Sequence, residues 1–156
     1  MSIRFSESSL LNIAIGIERR GIAFYDVMAR TSESPEVSHV FVHLAAMERE
    51  HLELFQSMLS KSNSTVSGEA PEFLQALVDS SVFTDDLVES ELATRTGTVT
   101  GALELAIVAE KDSILFYYEM REIMPPGIRA PLSQIINEEK SHLAQLADLR
   151  KQLGSS

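Results

Sequence analysis

Apolar residues recur along most of this chain at every third or fourth position, the period of an amphipathic helix. No stretch alternates apolar and polar residues as a half-buried strand would. A first helix is expected from about Ser8 to Thr31, with Leu11, Ile15, Ile22 and Tyr25 on one face and Ser6 or Ser8 as N-cap. Ser34, Pro35 and Glu36 then read as a restart: a capping hydroxyl, a proline suited to the first helical position and an acid that complements the helix dipole. The second helix runs to about Lys61. A polar, serine-rich stretch from Lys61 to Ala70 follows, then two short helices, Pro71–Ser80 and a weaker Asp85–Thr96. A third long helix begins near Thr98–Thr100 and ends near Ile123, where Pro125, Pro126 and Gly127 break it. The fourth starts between Ile128 and Pro131 and ends near Leu153. The pattern therefore divides one domain, 1–156, into a helical hairpin at 8–61, a crossover at 62–97 and a second hairpin at 98–153.

The two hairpins resemble each other. At an offset of 92 residues, segment 14–28 aligns with 106–120, pairing Glu18 with Glu110, Tyr25 with Tyr117, Phe24 with Phe116 and Met28 with Met120. At an offset of 91, Glu48 pairs with Glu139 and His51 with His142. This is the mark of an internal duplication, and two copies imply a pseudo-two-fold bundle rather than a solenoid.

The duplicated polar positions carry the candidate chemistry. Each half holds a lone glutamate in its first helix and Glu-x-x-His in its second: Glu18 with Glu48 and His51, Glu110 with Glu139 and His142. A spacing of three puts the Glu and His of each motif on one helix face. Glu18 and Glu48 lie equally far, about 15 residues or roughly 22 Å at 1.5 Å per residue, from the turn at 33, and Glu110 and Glu139 are matched in the same way about Met124–Pro125. All six groups thus fall at one level in the middle of the bundle. Four unpaired carboxylates in a core are very costly, and two divalent cations would cancel their charge and bond their oxygens. Mixed carboxylate and imidazole ligands suit iron or manganese, with zinc left open.

Composition narrows the function further. The chain has 13 basic and 23 acidic residues, a net charge of −10, and no cysteine. Zero Cys excludes disulfides, thiolate metal sites and a cysteine nucleophile. The acidic balance, with no basic segment interleaved with aromatics, argues against nucleic acid or an anionic membrane as partner. The longest mainly apolar run, Gly101 to Ala109, contains Glu104 and is far short of the roughly 20 residues that span a bilayer. The N-terminal residues lack the pattern of a signal peptide, so a cytoplasmic location is expected.

With these motifs in place, the chain resembles the ferritin-like superfamily, and within it the di-iron domain of rubrerythrin, over nearly its whole length. The resemblance implies an all-α, ferritin-like four-helix bundle with one long crossover. It implies that Glu48 and Glu139 bridge two iron ions, with Glu18, Glu110, His51 and His142 as terminal ligands. Tyr25 and Tyr117, two turns beyond the lone glutamates, would hydrogen-bond metal-bound carboxylates or serve as plain core aromatics. The implied activity is an oxidoreductase that reduces hydrogen peroxide or dioxygen. Ferroxidase or iron-handling activity, a di-manganese centre and a non-catalytic metal-stabilised bundle are the alternatives. Two departures stand out. Ser113 occupies the place of an extra glutamate in that family. The cysteine-ligated rubredoxin domain has no counterpart here, so an external electron donor, protein or small molecule, is expected, together with a homodimer.

The residues neighbouring these positions have simpler roles. Glu36, His39 and His43 could hold a surface metal, but a solvated helix start is the simpler account. Glu138 rivals Glu139 as a ligand, and the repeat offset favours Glu139. The Phe24/Phe116 and Met28/Met120 pairs read as packing, and Glu50, Glu53, Glu104 and Glu119 as a solvated face. Two bound divalent ions would move the formal charge from −10 to about −6.

Overall fold

The computed structural model describes residues 6–62, 72–79 and 99–154. Among the described residues five helices follow in chain order: α1 (Glu7–Thr31), α2 (Pro35–Ser60), α3 (Glu72–Asp79), α4 (Val99–Ile123) and α5 (Pro126–Gly154). No strand occurs among the described residues. The expected short helix Asp85–Thr96 lies outside them.

Helix α1 starts where local hydrogen bonding permits it. Ser6 Oγ accepts from the Ser9 amide at 3.0 Å, and Ser9 Oγ accepts from the Ser6 amide at 2.7 Å, a reciprocal cap that satisfies two otherwise unpaired donors. At the α1–α2 turn, Ser34 Oγ accepts from the Val37 amide with Pro35 in the first turn. Ser38 Oγ then donates to the Ala29 carbonyl at 2.8 Å, tying the start of α2 to the end of α1. The second hairpin departs from the sequence expectation. Helix α5 begins at Pro126 rather than at Ile128 or beyond, and it carries Pro131 inside its second turn. The first-turn N–H groups of a helix have no intrahelical acceptor, so Pro126 forfeits nothing there. Only Pro131 removes a bond.

Packing is densest within each hairpin, α1 on α2 and α4 on α5; α1 also meets α4, α2 meets α5, and α3 lies against α4. The apolar core is split in two. One cluster joins Phe24, Tyr25 and Phe41 to Leu103, Ile107 and Leu146; the other joins Leu10, Leu11 and Phe55 to Leu74, Phe116 and Ile135. Between them lies a layer of buried polar groups. No described helix is long and apolar enough to cross a membrane.

Candidate metal centre

Four helices each send a carboxylate into the polar layer. Glu18 comes from α1, Glu48 from α2, Glu110 from α4 and Glu139 from α5, and none is more than 4% exposed. His51 and His142 join them one turn further along α2 and α5, at 0% and 1% exposure. Their rings stack at 5.8 Å between centroids and 25° between planes. Donor atoms from Glu18, Glu48, His51 and Glu139 lie within 4.8 Å of one another, and so do those of Glu48, Glu110, Glu139 and His142. The two sets share Glu48 and Glu139. Two adjacent cation sites with two carboxylates in common is the geometry of a dinuclear centre. The structure therefore brings together all six of the residues that the repeat singles out.

The contacts interlace the hairpins. His51 Nδ1 lies 2.9 Å from Glu139 Oε1, and His142 Nδ1 lies 3.0 Å from Glu48 Oε1, so each imidazole reaches the carboxylate of the other half. The tyrosines do the same. Tyr25 donates its hydroxyl to Glu110 Oε1 at 2.5 Å, and Tyr117 donates to Glu18 Oε1 at 2.6 Å. Both rings are core aromatics as well, Tyr25 stacked near Phe41 at 5.9 Å and Tyr117 tilted against Phe55 at 5.3 Å.

Without a metal, protons must balance the charge of this layer. Burial, then the charge on Glu139, pushes Glu18, Glu48 and Glu110 above the usual carboxylate range. Burial pushes Glu139 the same way, but its interactions with Glu110, His142 and His51 outweigh it and hold Glu139 well below that range. Burial alone would lower His51; Glu139 and Glu18 reverse this and push it up to about 11. Tyr25 and Tyr117 are raised by burial and then by the nearby carboxylates, so both stay hydroxyl donors.

Whether the layer suits a metal pair can be tested on its unsatisfied atoms. Oε2 of Glu18, Oε1 of Glu48, Oε2 of Glu110, Oε2 of Glu139 and both ring nitrogens of His142 are buried without a well-formed hydrogen bond. Buried polar atoms are normally paired, and leaving this many unpaired in one layer is costly. Cations seated among them would supply the missing bonds. The residues fit a pair of hard or borderline ions with oxygen and nitrogen ligands.

The remaining candidates fall elsewhere. Glu36, His39 and His43 are exposed and belong to neither donor set. Glu50, Glu53 and Glu104 are exposed and Glu119 is partly so, while Phe24, Phe116, Met28 and Met120 are core. Ser113 is partly buried one turn beyond Glu110 and donates its hydroxyl to the Ala109 carbonyl at 2.9 Å. Its counterpart by the repeat offset is Gly21, where a Cβ would stand 3.7 Å from Glu48 Oε2. One participant escaped the sequence reading. Glu138, weighed only as a rival of Glu139, points instead at His51, with Oε2 2.6 Å from Nε2. Its adjacency to a ligand-bearing position was the available signal, but only the docking of α2 beside α5 shows which imidazole it meets.

A four-helix bundle whose core layer joins four glutamates and two histidines into paired cation sites defines the ferritin-like carboxylate class. Sequence comparison agrees. The rubrerythrin family profile matches residues 9–150, and the chain belongs to that family. A crystal structure from Thermotoga maritima at 2.30 Å resolution, provisionally described as a ferritin-like diiron-carboxylate protein, is similar at 27% identity with a TM-score of 0.71. The similarity covers 97% of this chain and 98% of that one. No curated protein matches the chain in sequence.

Proposed function

We propose that this chain is a rubrerythrin-type di-iron oxidoreductase that reduces hydrogen peroxide or dioxygen with electrons from an external donor. The observation that carries the reading is the buried layer of six ligand side chains with orphaned oxygens and nitrogens. In this reading Glu48 and Glu139 would be shared between the two ions, Glu18 and His51 would serve one position, and Glu110 and His142 would serve the other. Two ferrous ions held there would supply the electron pair that converts peroxide, with two protons, into two waters. Tyr25 and Tyr117 fix the rotamers of Glu110 and Glu18, so the terminal carboxylates keep their orientation when the charge of the centre changes. The apolar clusters on either side exclude bulk water from the layer. The chain would act as a homodimer in the cytoplasm.

Anaerobic reconstitution of the metal-free chain with Fe(II), followed by stopped-flow mixing with peroxide and separately with dioxygen, tests the proposal. Two iron ions per chain and faster oxidation by peroxide than by dioxygen are expected. Iron well below two per chain, or a ferrous form inert to both oxidants, sinks it. Rapid oxidation by dioxygen with release or accumulation of ferric iron favours iron handling instead.

A further inference from the structure

The two imidazoles of the centre are not held alike. His51 is fully buried, with Nδ1 facing Glu139 and Nε2 2.6 Å from Oε2 of Glu138 on the opposite hairpin. His142 is buried equally deeply, yet among the described residues its Nε2 meets no hydrogen-bond partner. By the offset of 91 residues the counterpart of Glu138 is Met47, whose thioether is at best a weak acceptor. Glu138 is itself supported. Its side chain is 30% exposed, which keeps the carboxylate solvated, and Gln134 Nε2 donates to its Oε1 at 3.4 Å.

We propose that Glu138 is a positioning residue that makes the two metal positions unequal, so that the position served by Glu18 and His51 fills first and more tightly. The inference rests on the dinuclear reading above. A histidine ligand offers one ring nitrogen to the metal and donates the N–H of the other. A carboxylate receiving that N–H fixes the tautomer, orients the ring and raises the basicity of the ligating nitrogen. Glu138 performs all three for His51, leaving Nδ1 directed at the shared carboxylate Glu139. His142 has no such partner at Nε2, so its ring is aimed only by packing and by the Glu48 carboxylate 3.0 Å from Nδ1. Two halves that are symmetric in their six ligands therefore differ in what stands behind them.

The test uses the full-length metal-free chain titrated anaerobically with Co(II), read by d–d absorbance and by proton NMR. The wild type should bind two ions in two resolved steps. The first should be about 10–100-fold tighter, the usual effect of a histidine's hydrogen-bond partner on metal affinity. The one-equivalent form should show a single paramagnetically shifted, slowly exchanging imidazole N–H. Glu138→Ala should weaken the first step by about the same 10–100-fold, merge the two steps and lose that resonance. Glu138→Gln, which keeps an acceptor oxygen, should recover part of the affinity and the resonance. Two equal steps in the wild type, or an unchanged first step in Glu138→Ala, overturn the inference while leaving a dinuclear centre intact. A wild type that fails to bind two ions at all overturns the dinuclear reading, and this inference with it.

Discussion

Replacing Tyr117 by Phe removes one oxygen atom from the centre and nothing else. The ring stays where Phe55 and Phe116 hold it, at 5.3 and 5.8 Å between centroids. What is lost is the 2.6 Å bond to Glu18 Oε1, in a site where both side chains are 0% exposed and water cannot substitute. Where Glu18 is ionised, a bond of this kind is worth about 1.5–3 kcal/mol; where it is protonated, the neutral bond is worth about 0.5–1.5. Burial raises Glu18, so the crossover between these regimes lies above the ordinary carboxylate value. Urea unfolding of the metal-free chain at a low and a high pH separates them. With a slope of about 2 kcal/mol per molar, the midpoint should fall by roughly 1 M at high pH and by half that or less at low pH. The slope itself should not change. An unchanged midpoint at both pH values would refute the claim that this bond stabilises the layer. An equal loss at both would assign the effect to packing instead.

Four further outcomes follow from the same structure. Gly21→Ala should stabilise the metal-free chain by up to about 1 kcal/mol, because it removes a helix-interior glycine and its Cβ meets Glu48 only at ordinary contact distance; thermal unfolding reads this as a rise of roughly 2–4 °C. Metal binding should release protons: His51, pushed up to about 11, must lose its proton to ligate, and the raised glutamates add to the release. Apparent affinity should therefore fall as pH falls, and calorimetry in buffers of different ionisation enthalpy should show it. In the metal-free chain the raised His51 adds stability that is complete below its ordinary 6.5 and lost as pH rises through about 11, so a His51→Gln variant should lose the most relative to wild type at acidic to neutral pH, measured by denaturation. Ser6→Ala should cost about 1 kcal/mol by opening the reciprocal cap of α1, read as a lowered denaturation midpoint.

Much of this architecture is written locally. The N-caps at Ser6 and Ser34, the helical period and the duplicated Glu and Glu-x-x-His positions are short-range signals, and the structure brings those six side chains to one layer. Two features were hidden for different reasons. The start of α5 was masked because Pro125, Pro126 and Gly127 read together as a breaker, although a proline in the first turn of a helix, as Pro126 is here, sacrifices no hydrogen bond. The role of Glu138 was hidden because it is a relation between helices. Sequence spacing says which residues share a face of α5, but the pairing of Glu138 with His51 depends on how α5 docks beside α2. The crossing of the tyrosines belongs to the same kind: the repeat places each ring near its own glutamate, and only the bundle delivers it to the other one.

The divided core has a consequence for how the chain assembles. Contacts within each hairpin are local and numerous, while those between hairpins are sparser and long-range. Low sequence separation favours early formation, so each hairpin is the natural first product of folding. Joining them then brings four glutamates together before any compensating bond exists, which places an electrostatic step late on the route. Protons relieve that step only in part, whereas a divalent ion captured by one hairpin's Glu and His would draw in the second. The centre would then be a clasp as well as a site of chemistry. Supplying metal during refolding should accelerate the docking of the halves and leave the formation of each half untouched.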